Sequence, residues 1–252
     1  MTELRGVYTL WLREVKRYLR DRARIISSFV QPLLWLVIFG SGLRVASGLP
    51  PNLTYPQYIF PGILGQTLLF TSMFMGISVI WDREFGFLKE ILVAPISRLS
   101  VFLGKMLGDS TDALIQGTIV FALGLLLGIG FDPRTFLETL PVMILITFGL
   151  VGIGLTVASF IESLESFGVI QSFINLPLFF LSGALFPIEG EPSWLQIVSR
   201  FNPLTYGVDA LRTVILGSAW TPIQPLSFDL VVVCGFDVIM MIVGTFAFSR
   251  RK

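Results

Sequence analysis

Histidine is absent from these 252 residues, and only one cysteine, Cys234, occurs. The first absence removes the commonest general base and metal ligand, and a lone thiol excludes an internal disulfide or a cysteine-based zinc cluster. Charge is scarce as well. Charged residues make up 14% of the chain against 54% hydrophobic, and the formal net charge is +1. Such a chain offers no bulk field for capturing nucleic acid. A water-soluble globule of this composition would expose too much apolar surface, so lipid is the expected solvent. No phosphate-binding Gly-x-x-x-x-Gly-Lys-[Ser/Thr] loop, Gly-x-Ser-x-Gly nucleophile turn or Asp-rich metal motif is present, and nothing here points to an enzyme.

What the chain does have is a series of long uncharged runs. Between Arg24 and Arg44 lie 19 uncharged residues, about 28 Å of helix and close to the ~30 Å thickness of a bilayer's hydrocarbon. Six transmembrane helices are expected, over 25–43, 58–81, 113–131, 139–161, 166–188 and 226–249, because isolated strands cannot satisfy their backbone in lipid. The N-terminal segment reads as retained, since the run behind it is too long for a cleaved signal. Basic residues set the orientation. With both termini in the cytoplasm, fourteen of the 18 lie inside and only Arg44, Arg134, Arg200 and Arg212 outside, as the positive-inside rule requires.

Three segments do not cross. Over 1–24, Leu4, Val7, Tyr8, Trp11, Val15 and Tyr18 share one helical face, and Arg5, Arg13, Lys16, Arg17, Arg20 and Arg24 the other. This predicts an amphipathic helix on the membrane surface, its basic face meeting either lipid headgroups or a partner. Arg22 falls on the apolar arc and is read as snorkelling. Residues 82–98 mix charges with Phe85, Phe87, Leu88, Ile91 and Leu92, and Pro95 ends a short helix. Their apolar side chains either pack on the chain's own spans or seat in a partner's groove. Residues 189–225 hold two helical stretches too short to span, broken at Asn202-Pro203, which predicts a re-entrant or interfacial hairpin on the outer side. Asp209 and Arg212, one turn apart, are expected to pair.

Two stretches carry a family resemblance. One is Trp81-Asp82-Arg83-Glu84-Phe85-Gly86 with Leu92-Val93-Ala94-Pro95-Ile96-Ser97-Arg98. The other is Leu181-Ser182-Gly183-Ala184-Leu185-Phe186-Pro187 with Asn202-Pro203-Leu204-Thr205-Tyr206-Gly207-Val208-Asp209-Ala210-Leu211-Arg212. With them the chain, over nearly its whole length, resembles the type-2 permeases of ATP-binding-cassette exporters, which include drug-resistance, lipo-oligosaccharide and polysaccharide export permeases. The resemblance implies an all-α membrane protein in which 82–98 is a cytoplasmic coupling helix seated on a separate ATPase. Asp82, Arg83, Glu84, Gly86, Lys89, Glu90, Pro95 and Arg98 would then touch that partner, with Glu162 and Glu165 as a second contact between spans four and five. It also implies a homodimer or a pair with a related permease, in the inner membrane of a prokaryote. No cofactor belongs to the chain itself, ATP and Mg being carried by the partner. The walls of the export path would include Phe29, Gln171, Asn175 and Phe179.

Inside the membrane, the amides of Gln171 and Asn175 either contact an amphipathic substrate or bond across helices. Asp237 lies deep in the last span, where a charge is costly, so it is expected to face protein or to be neutral. A membrane enzyme is disfavoured by the missing residue types. A proton- or ion-coupled secondary transporter would show broken spans in matching halves or several buried charges, and no such symmetry is evident.

Overall fold

The computed structural model describes residues 2–42, 53–93, 95–126 and 133–250, and every regular element among them is helical. In chain order these are α1 (Thr2–Arg20), α2 (Arg22–Gly42), α3 (Tyr55–Phe74), α4 (Ile77–Glu84), α5 (Phe87–Val93), α6 (Arg98–Leu126), α7 (Pro133–Phe160), α8 (Leu164–Phe180), α9 (Ser193–Arg200), α10 (Pro203–Leu216) and α11 (Leu226–Arg250). Single 3-10 turns occupy Ile188–Gly190 and Gly217–Ala219. Among the described residues three stretches are long and apolar enough to cross a membrane, Tyr55–Glu84, Arg134–Phe160 and Leu226–Ser249, and α8 is a shorter apolar helix. Parts of the runs read as spans one and three, at residue 43 and at 127–131, lie outside the described residues.

α3 is the axis of the bundle. Every residue from Tyr58 to Leu69 is buried, and α2, α6, α7, α8 and α10 all pack against it. A helix that is apolar all round belongs in such a position. Ile59, Phe60, Leu64, Phe121, Met143, Val208 and Leu211 form the main core there. α11 does the opposite. It lies against α7 and α10 but turns Val231, Ile239, Ile242 and Phe246 outward, as a lipid-facing helix does.

Several helix limits differ from those read off the charge pattern. The N-terminal wheel does not continue to residue 24, because α1 stops at Arg20 and Asp21 separates it from α2. Arg22 therefore sits in the first turn of α2, exposed, and not on the apolar arc of α1. α6 begins at Arg98 rather than near 113, so Lys105, Asp109 and Asp112 ride on the same helix as the apolar run behind them. Where the uncharged run reaches Ile188, α8 has already ended at Phe180, and Gly183 turns the chain through a left-handed backbone (φ 73°). The break at Asn202-Pro203 has a local cause. The Asn202 side chain accepts from the Leu204 amide at 3.0 Å and donates to the Leu178 carbonyl at 2.7 Å. Pro203 supplies a first-turn residue with no amide to satisfy.

Candidate functional site at the α4–α5 end of the bundle

α1 is fastened along the first half of α6. Gly104 and Gly108, four residues apart on α6, face the Cβ atoms of Leu10 and Glu14. A methyl group at either glycine would come within 2.7 and 2.6 Å of them, so the two backbones lie closer than any larger residue allows. The buried stripe of α1 is thus Leu10, Glu14 and Tyr18, while Leu4 and Tyr8 are exposed. Of the apolar face read from the sequence, Leu4, Val7, Tyr8, Trp11, Val15 and Tyr18, only Tyr18 is fully turned into the protein. Trp11 bridges instead, donating from its indole to the Thr111 hydroxyl at 3.0 Å.

Burying Glu14 requires a partner, and α6 supplies one. Lys105 is completely buried, its ammonium 3.1 Å from Glu14 on α1 and 2.7 Å from Asp82 on α4. It also donates to the Ser78 hydroxyl at 3.2 Å, and Ser78 in turn faces Asp109 at 3.5 Å. Arg13 closes on Asp82 from the other side, and Arg17 lies 3.8 Å from the same carboxylate. Burial pulls the Lys105 ammonium down, but Glu14 and Asp82 outweigh it and hold the group above its ordinary value, so it stays charged. The result is a cluster of three cations and three carboxylates, buried at Lys105, Glu14, Asp82 and Asp109 and open to solvent at Arg13 and Arg17, that locks α1, α4 and α6 together.

From this lock the chain projects outward. Gly86, with φ 79° and open space where a side chain would stand, ends α4 and turns into α5. Arg17 stacks over Trp81 at 4.8 Å and Arg13 over Phe87 at 5.7 Å, so α1 also steadies the start of α5. Beyond those contacts Phe85, Phe87 and Val93 are exposed, together with Glu84, Glu90 and Pro95. A group of exposed large apolar residues with charges beside it is the usual composition of a protein-binding surface.

The residues singled out from the sequence fall into distinct places. Asp82 points inward and is 1% exposed. Arg83 donates to the carbonyls of Ile161 at 2.7 Å and Ser159 at 3.1 Å, satisfying the end of α7. That contact brings the α7–α8 turn, with exposed Glu162 and Glu165, to the same end of the bundle as α5. Glu84, Gly86, Glu90, Pro95 and Arg98 remain at the surface or half-buried near it. In α8, Gln171 is half-buried, Asn175 is buried, and Phe179 packs edge-on against Trp35 and Phe70, with ring centroids 6.0 and 6.2 Å away. The side chains of Phe29 and Lys89 lie outside the described residues. Glu14, Ser78 and Lys105 were not singled out, although a lysine between apolar neighbours in Val101-Phe102-Leu103-Gly104-Lys105-Met106-Leu107 is a signal that a wheel drawn across α1 and α6 could have used.

At the junction between α5 and α6, the carboxylate of Glu3 accepts from the Ser97 amide at 3.0 Å and from its hydroxyl at 3.0 Å, while Ser97 caps the start of α6 through the Ser100 amide. Hydrogen bonds from the Ser100 hydroxyl and from Ser97 hold the Glu3 carboxyl below its ordinary value. With a folded-state pKa below the unfolded one, the contact contributes above the ordinary carboxylate range and is lost as pH falls through the lower, folded value. Acidification is expected to free the first turn of α1, and Glu3→Gln is expected to remove that step from a pH titration of hydrogen exchange at residues 2–8. An unchanged titration in the variant would show that Glu3 does not hold the junction.

Among the described residues no group of histidine, cysteine and acidic side chains could hold a metal ion. The cluster is an internal lock with an exposed lever attached. Residues 5–216 match the family model described as ABC-2 type transporter. The chain is 36% identical to the protein named transport permease ycf38 of Cyanophora paradoxa, over 78% of this chain and 69% of that one. It is 26% identical to Nodulation protein J of Rhizobium leguminosarum bv. viciae, over 91% and 88%. With the Escherichia coli (strain K12) protein named multidrug ABC transporter permease YbhR it shares 29% identity, over 74% of this chain and 52% of that one.

Proposed function

Because this chain belongs to the ABC-2 type transporter family of membrane permeases, we propose that it is the membrane-spanning subunit of an ATP-driven exporter, six spans deep and paired with a second copy or a related permease. Both termini face the cytoplasm of a prokaryotic cell, and a separate ABC ATPase, carrying ATP and Mg, seats against α5 and the α7–α8 turn. The cargo class is an amphipathic drug, a lipid-linked molecule or a polysaccharide. One relative's name includes multidrug, which supports the first of these.

The observation that carries this reading is the exposed surface of Phe85, Phe87, Val93, Glu84 and Glu90 mounted on a buried ionic lock. A force applied to α5 reaches α1 and α6 through side chains already packed and paired, and packed helices shift between discrete arrangements rather than bending continuously. Asp82 transmits that force from inside, and Glu84, Glu90, Glu162 and Glu165 meet the partner. The proposal is tested by reconstituting the permease with its ATPase in vesicles. Glu84→Lys is expected to leave the permease assembled and hydrolysis running while transport falls about tenfold, the scale of losing one close charge pair. Undiminished transport would remove Glu84 and the α4–α5 corner from the contact, and ATP hydrolysis by the purified permease alone would end the proposal.

A further inference from the structure

At the opposite end of α3 from the ionic lock, α9, α10 and the start of α11 enclose a cavity of about 380 Å³, which the export scheme above does not use. Two carboxylates line it and they are in different conditions. Asp209 is saturated, accepting from the Trp220 indole at 3.0 Å and from the amides of Ile223 and Gln224 at 2.8 and 3.1 Å. Asp229, in the first turn of α11, is fully buried, and neither of its oxygens has a hydrogen-bond partner in the protein. The Thr205 hydroxyl on the same wall is likewise unpartnered.

A buried carboxylate without a donor is costly unless something arrives to neutralise it. The rest of the wall indicates what. Tyr206 and Phe228 line the cavity as a tilted aromatic pair, with ring centroids 6.0 Å apart, and the Tyr206 hydroxyl donates to the Arg200 carbonyl at 2.7 Å, which fixes that ring. Ile188 and Ile223 complete an apolar side. Arg200 also borders the cavity, with its side chain in solvent. Aromatic faces beside a carboxylate recognise an organic ammonium through cation–π and charge attraction together. The volume suits a small organic molecule. It far exceeds a bare ion, and no metal-binding group of side chains occurs among the described residues.

We propose that this cavity binds a monovalent organic cation with an apolar body, the charged nitrogen set against Asp229 and the body against Tyr206 and Phe228. The probe is ethidium, titrated by fluorescence into the purified chain in nanodiscs without nucleotide or ATPase. Saturable binding is expected, weakened about tenfold in Asp229→Asn by loss of the charge and about threefold in Phe228→Ala by loss of one ring. Asp237→Asn, which removes the other buried carboxylate of α11, is expected to leave binding unchanged. Folding of each variant is followed by thermal melting, and if Asp229→Asn does not fold, the exposed Phe228 decides. The proposal is overturned by absence of saturable binding, by full affinity in Asp229→Asn or in Phe228→Ala, by an equal loss in Asp237→Asn, or by displacement of ethidium by micromolar magnesium or calcium. Because no ATPase enters the measurement, this result and the export role stand or fall separately.

Discussion

Lys105→Met is expected to destabilise the protein by about 3–5 kcal/mol, the usual cost of stranding buried charges by removing their partner. Lys105 is the one residue in contact with both Glu14 and Asp82 from the side of α6, and methionine keeps the volume while deleting the charge. Arg13 and Arg17 remain near Asp82 but are about one-third exposed, and they reach Glu14 only at 3.7 and 3.9 Å. The loss should therefore be concentrated in the docking of α1. Denaturant unfolding in micelles measures the total, and proteolysis between α1 and α2 reports the local release. A second substitution gives the argument its sign. Glu14→Leu added to Lys105→Met removes the stranded carboxylate and leaves Asp82 to the arginines, so the double variant should be more stable than Lys105→Met alone by about 1 kcal/mol or more. If the two losses simply add, the cluster is not an energetic unit.

The second large effect is expected at the other end of the molecule. Arg212 is 2% exposed and donates to the carbonyls of Gly183 and Ala184 at 2.7 and 2.9 Å. Its guanidinium lies over the rings of Tyr58 at 4.2 Å and Trp220 at 5.3 Å. It thereby ties α10 to the turn that follows α8 and to the first turns of α3. Arg212→Leu would leave two buried carbonyls without those donors, costing about 1–3 kcal/mol for each. Arg212→Lys should recover only part of this, because an ammonium can reach one carbonyl but cannot lie flat between two rings. Hydrogen exchange over 181–187 is the local readout, expected to rise strongly in the leucine variant and moderately in the lysine one. Equal protection in all three proteins would show that the turn holds without Arg212.

The same residue shows where linear reasoning stops. Asp209 and Arg212 are one turn apart on α10, and that spacing predicts a local ion pair. In the folded chain Asp209 collects the indole of Trp220 and two backbone amides, and Arg212 reaches carbonyls nearly thirty residues upstream. Both groups are buried, and in a dry interior a charged side chain is drawn to whatever backbone dipoles the packing leaves unsatisfied. Spacing along a helix cannot reveal those.

Composition and local pattern were enough for the all-helical class, the membrane setting and the break at Asn202-Pro203, while the family rested on a resemblance carried by two motif stretches and on the match over residues 5–216. Uncharged runs, a capping asparagine and a proline act over a few residues, and their consequences do not depend on what lies across the bundle. Whether Asp82 faces a partner or the interior, whether Lys105 is a solvated charge or the centre of a lock, and whether Asp229 opens onto a cavity were decided only by the tertiary structure. Each depends on which helices meet and at what distance. Electrostatic energy in a low-dielectric interior is set by separations of a few ångströms between residues that stand as far as 91 positions apart in the chain.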